Sequence, residues 1–134
     1  KHKILGARIT GSDHLKDGID ISESIFLSKK LENLKLNYLC ISSGGIISKT
    51  NMKPENHAFR VELSKEIKKN TEKILIGSTG NLKNFKLINK YFKKKYFDLA
   101  FIGRPFLENP NWLYKELEKN EIPRPYLKAF RKIN

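Results

Sequence analysis

Short, unbroken apolar runs alternate along this chain with stretches of helical periodicity. The runs cover residues 4–9, 38–41, 74–76 and 99–102. None alternates polar with apolar, which is the signature of parallel strands buried on both faces. Between them, residues 21–34 place Ile25, Leu27, Leu31 and Leu34 near one helical face. Asp20 is positioned to cap that helix, with Glu23 three residues on closing a capping box. Residues 58–69 carry Phe59, Leu63 and Ile67 at a spacing of four. Residues 82–93 carry Phe85, Ile88 and Phe92, and residues 111–119 follow Pro110, a first-turn proline. The order β-α-β-α-β-α-β-α predicts an α/β fold with a parallel sheet and right-handed crossovers.

The strand ends carry the candidate chemistry. Ile74-Leu75-Ile76 runs into Gly77-Ser78-Thr79-Gly80, and Leu99-Ala100-Phe101-Ile102 stops at Gly103-Arg104. Glycine lets a backbone approach a ligand closely, and arginine offers a planar fork of donors, so the two turns predict one shared phosphate site. Four βα units make half of an eightfold barrel or most of a small open sheet. Phosphate in a (β/α)8 barrel commonly binds after the last two strands, and the two glycine turns favour the barrel on that ground. Neither turn is a Walker loop, and neither has GxGxxG spacing. Ser42-Ser43-Gly44-Gly45 ends the second strand with small residues that either leave room for a flat ligand or a nearby backbone or form an ordinary βα turn. Arg8 interrupts an apolar strand and is expected to be buried against an anionic or strongly accepting partner.

Length and composition set bounds. The 134 residues suffice for one domain, 1–134, with residues 121–134 an extended tail set by Pro123 and Pro125. A hydrophobic share of 39% against 31% charged residues reads as globular. No apolar run is long enough to span a bilayer, and no signal-peptide pattern opens the chain. A single cysteine, Cys40, excludes a disulfide framework and points to a reducing cytoplasm. The net charge of +13 suggests a nucleic-acid binder. Lysine far outnumbers arginine, however, and is scattered evenly, which favours a solvated lysine-rich surface. Asp13, Asp17 and Asp20 around Gly18 fail as a calcium loop, since Leu15 and Ser24 stand where acidic ligands are needed. His2, His14 and His57 have no metal-ligand spacing, and no metal site is expected. No catalytic triad or acid–base pair is detectable.

Three groups of residues carry a family resemblance. They are Arg8-Ile9-Thr10-Gly11-Ser12-Asp13, Leu39-Cys40-Ile41-Ser42-Ser43-Gly44-Gly45, and the run from Asp98 through Gly103-Arg104-Pro105-Phe106-Leu107 with Asn109-Pro110-Asn111-Trp112. Together they resemble the old yellow enzyme family, the FMN-dependent NADH:flavin oxidoreductases and ene-reductases, over nearly the whole chain. Ser78-Thr79-Gly80 stands where that family has Ala-Val-Gly. The resemblance implies the C-terminal half of a (β/α)8 barrel. It implies FMN as cofactor, NADH or NADPH as hydride donor, and a small enone-type substrate reduced at its activated double bond. It places Arg8 against the flavin's pyrimidine edge as a charge stabiliser. Gly80, Gly103 and Arg104 fall on the FMN phosphate, with Thr79 beside them as a further donor or packing group, and Ser43 and Gly44 lie near the cofactor.

The family's substrate-binding His pair and proton donor belong to the first four strands, which precede Lys1 in this register. With residue 1 a lysine and Met52 the only methionine, the chain is expected to be a fragment, inactive alone and poorly stable because half a barrel leaves two strand edges open. Tyr126-Leu127-Lys128 stands where many relatives have Tyr-x-Arg reaching into a neighbouring subunit. Lys128 keeps that charge, and a homo-oligomer is expected. Another phosphate-binding barrel enzyme is the alternative reading, and a basic nucleic-acid-binding module a more distant one.

Overall fold

The structure is a computed structural model that describes residues 3–44 and 59–117. Four strands, β1 (Gly6–Thr10), β2 (Tyr38–Ser42), β3 (Leu75–Thr79) and β4 (Leu99–Phe101), form one parallel sheet in the order β1-β2-β3-β4. Helices α1 (Ile21–Asn33), α2 (Phe59–Lys69) and α3 (Phe85–Lys93) follow the first three strands. Two short helices, α4 (Arg104–Glu108) and α5 (Trp112–Glu116), follow the fourth. Sequential order in a parallel sheet puts every right-handed crossover on the same side. The helices therefore cover a single face, as in a (β/α)8 barrel and unlike a doubly wound sheet.

The covered face is the core. Leu39, Ile41, Ile67, Ile74 and Ile76 pack there with Ile9, Ile25 and Leu63 against them, and Val61, Leu82, Ile88 and Phe97 form a second cluster under α3. On the opposite face, Tyr38 and Phe101 stack with ring centroids 5.9 Å apart. A Cβ at Gly6 would collide with the Tyr38 ring, and one at Gly77 with the Phe101 ring. The two glycines make room for that aromatic pair.

The N-terminal ends of the strands are pinned by carboxylates. Glu32 at the end of α1 accepts the backbone N–H of Glu72, Lys73 and Ile74 at 2.8, 2.6 and 3.0 Å. Asp98 accepts the Ile76 N–H at 2.8 Å and pairs with Lys68 at 2.7 Å. The capping box at α1 forms as the sequence predicts: Asp20 accepts from Ser22 and Glu23, and Glu23 accepts from Asp20.

Several expectations change. The stretch 77–80 is not all turn, because Gly77, Ser78 and Thr79 continue β3 and pair with Leu99, Ala100 and Phe101. Gly77 answers to the Phe101 ring rather than to a bend. Leu27 and Leu34 are exposed, whereas Ser24 and Ser28 are buried. Their hydroxyls bond to the carbonyls of Thr10 and Ser24, so small side chains let α1 lie close to the sheet. Helix α3 starts at Phe85 behind an Asn84 cap rather than at Leu82. Helix α4 has no counterpart in the sequence reading, since five residues with a proline show no periodicity. The tail 121–134 and the end of the 111–119 stretch lie outside the described residues.

Candidate anion-binding site

A cleft of about 210 Å³ opens at the C-terminal ends of β3 and β4. Its walls include Arg60, Thr79, Gly80, Phe101, Gly103 and Arg104. The two glycine-bearing strand ends read from the sequence do converge here, because β3 and β4 are hydrogen-bonded neighbours.

The glycines differ in what they require. Gly80 has φ +92°, which L side chains rarely adopt, and a Cβ there would run into the Arg60 guanidinium. Gly103 caps α4 at φ −111°, and a Cβ on it would meet nothing within 4 Å. Neither its backbone nor its packing demands glycine, so the space beside it is available to a ligand. In the first turn of α4, Phe106 and Leu107 donate to the Gly103 carbonyl, and Pro105 has no N–H. Arg104 opens α4 at the edge of the cleft with its side chain exposed. Thr79 lines the cleft, and its hydroxyl donates to the Phe101 carbonyl at 3.3 Å, stitching β3 to β4.

Arg60, in the first turn of α2, is the residue that the sequence reading missed. Its Nε donates to Ser43 Oγ at 2.8 Å, and its side chain lies against Gly80. Burial, and then the nearby charges of Arg8 and Arg104, push its guanidinium pKa below the usual value. Three cations thus converge on one end of the sheet. Among the described residues no carboxylate forms an ion pair with Arg8 or Arg104. The available signal was an arginine opening the helix after β2, where a barrel's ligand-facing end lies.

Ser43 is buried and reaches the cleft through Arg60. Gly44, at φ +30°, donates its N–H to the Ser12 carbonyl at 3.1 Å, tying the turn after β2 to the turn after β1. Arg8 departs from expectation. It is exposed on the helix-free face, not buried, and its Nη2 donates to Ser42 Oγ at 3.0 Å. Its register partner is Cys40, a buried free thiol whose pKa is raised by burial against the opposing pull of Arg8. Lys128, His2, His57 and Gly45 lie outside the described residues. Among the described residues no cluster of His, Cys, Asp or Glu could hold a metal ion. In the aspartate loop, Asp13 accepts the Ile19 N–H instead. A larger groove of about 710 Å³ lies at the other end of the strands, beside Glu32 and Lys73, where Glu32 is already committed to backbone amides.

A parallel sheet with one helical layer belongs to the (β/α)8 class, and here it carries a cationic glycine cleft at its C-terminal edge. A family model for the NADH:flavin oxidoreductase / NADH oxidase family matches residues 1–121. The chain belongs to that family. It is 25% identical over 124 residues to an NADPH dehydrogenase of Bacillus velezensis, covering 90% of this chain and 36% of that protein. An NADPH dehydrogenase of Bacillus pumilus is 27% identical over 131 residues, with 94% and 38% covered. The chain thus spans little more than a third of these relatives' length. The solved structure of a 2-naphthoyl-CoA reductase in complex with 2-naphthoyl-CoA superposes with a TM-score of 0.70 at 20% identity, covering 81% of this chain and 17% of that one, a likeness of fold. Among the described residues no helix is long and apolar enough to cross a membrane.

Proposed function

We propose that the protein is an FMN-dependent NAD(P)H oxidoreductase acting on activated carbon–carbon double bonds such as those of α,β-unsaturated carbonyls. In this reading the chain forms a C-terminal half-barrel that supplies the cofactor's phosphate grip. The observation that carries the reading is the meeting of Gly80, Gly103 and Arg104 in one cleft at the ends of adjacent parallel strands. The residues fit a phosphate ester. The cleft is cationic, and the space beside Gly103 is one that a Cβ would fill.

Bound FMN supplies the ring that accepts and returns a hydride. The chain's own residues bind and orient. Arg104 offers a forked donor pair at the cleft. Thr79 keeps β3 and β4 in register below the cleft. Arg8, aimed by Ser42, presents a fixed cation from the open face of the sheet, where it stabilises negative charge on an electron-rich ring edge. We also place the enzyme in the cytoplasm, supported by the buried free thiol of Cys40 in this chain, and assign Lys128 to a contact with substrate or between subunits of a homo-oligomer.

The full-length protein should carry flavin absorbance as purified, release FMN on denaturation, and oxidise NADH or NADPH faster with an enone present than without. A protein that takes up no FMN overturns the reading, and one that takes it up but leaves enones untouched overturns the substrate class.

A further inference from the structure

We propose that Arg60 is a second guanidinium ligand of the phosphate, lining the same cleft as Arg104 from the start of α2. The inference rests on the reading of the cleft as a phosphate site and adds a residue that neither glycine turn contains. Arg60 and Arg104 both line the cleft, one from the start of α2 and one from the start of α4. A phosphate in that cleft would be within reach of donors from two helices.

The Arg60 side chain is pre-set for that task. Nε donates to the Ser43 hydroxyl at 2.8 Å and Nη2 approaches the Ser43 carbonyl at 3.5 Å, which fixes the plane of the guanidinium. Its Nη1 lies against Gly80, in space that only a glycine leaves open. The charges of Arg8 and Arg104 act on the Arg60 guanidinium, and a phosphate in the cleft makes charge-assisted hydrogen bonds with Arg60 and Arg104 together. Ser43, already a candidate by sequence, acts as the positioning residue.

The test compares FMN with riboflavin, which shares the ring but lacks the phosphate. Flavin fluorescence is titrated with full-length apoprotein for the unaltered protein, Arg60→Gln and Arg60→Lys, and thermal melts report folding. We expect Arg60→Gln to weaken FMN binding by about 10- to 100-fold, the worth of a charged hydrogen bond. Riboflavin binding should hardly move, Arg60→Lys should recover part of the loss, and inorganic phosphate should compete with FMN less well in Arg60→Gln. Equal losses for FMN and riboflavin would make Arg60 a structural brace and overturn the proposal, as would an FMN affinity unchanged in Arg60→Gln. If the unaltered protein binds neither FMN nor inorganic phosphate, the phosphate reading of the cleft falls, and this inference with it.

Discussion

The Nε of Arg60 donates to Oγ of Ser43 across 2.8 Å, joining the start of α2 to the turn after β2. Ser43 is buried, so its hydroxyl cannot exchange Arg60 for water at no cost. Ser43→Ala should therefore lower stability by about 1 kcal/mol, the net worth of one such bond. It should also weaken FMN binding severalfold through the loosened guanidinium. Calorimetric unfolding and flavin titration check the two effects separately.

Gly80 and Gly103 should respond differently to alanine. At Gly103 a Cβ meets nothing and φ is ordinary, so Gly103→Ala should change stability by no more than about 0.5 kcal/mol. Its affinity for FMN should nevertheless fall, because the methyl group occupies ligand space. At Gly80 the positive φ and the Arg60 contact make alanine strained, and Gly80→Ala should lose both stability and affinity. If Gly103→Ala binds FMN as well as the unaltered protein does, Gly103 is not part of the phosphate grip.

The Glu32 carboxylate is a pH-dependent brace. Burial pushes its pKa up, but the N–H groups of Ile74, Lys73 and Glu72, with the Lys73 charge, hold it below the usual 4.5 overall. A depressed carboxyl pKa contributes stability above its unfolded value and loses it as pH falls through the folded value. Unfolding midpoints should thus decline from about pH 4.5 downward, and Glu32→Gln should flatten part of that decline. At neutral pH the same variant should cost about 1–2 kcal/mol, allowing for partial solvent screening. Denaturant unfolding at pH 3.5, 5 and 7 would decide it.

Lysine occupies a left-handed position at the C-terminal end of both α1 and α3. Lys35 has φ +62° and Lys95 φ +56°. Each is followed by a residue whose N–H reaches back into the helix, Leu36 to Leu31 and Tyr96 to Tyr91. This is the helix end that normally takes glycine. Lys35→Gly and Lys95→Gly should each stabilise the fold by about 0.5–1 kcal/mol, additively, since the left-handed conformation costs an L residue about 1–2 kcal/mol and the greater entropy that glycine loses on folding offsets part of the gain. A fall in melting temperature for either would contradict the assignment.

The aromatic pair on the open face sets a further constraint. Alanine at Gly77 drives a methyl group into the Phe101 ring, and at Gly6 into the Tyr38 ring. Each substitution should destabilise by about 1–3 kcal/mol through overpacking. Paired with Phe101→Leu, Gly77→Ala should recover part of its loss, which a melting series would show.

What the sequence determined by itself is local. Apolar runs and helical spacing gave the element order, Asp20 and Glu23 gave the capping box, and Gly103-Arg104 gave an arginine at a strand end. Each of these depends on neighbours a few residues apart. Tertiary structure decided what sequence distance hides. Arg60 meets Ser43 from 17 positions away, and Glu32 reaches the Ile74 amide from 42. Gly77 is small because of a ring on the next strand, and Arg8 is exposed because its strand turns it to the face without helices. Ile25 and Leu31 pack on the core as expected, but Ser24 and Ser28 are buried while Leu27 and Leu34 are exposed: burial is set by how closely a helix approaches the sheet, and periodicity alone does not contain that distance.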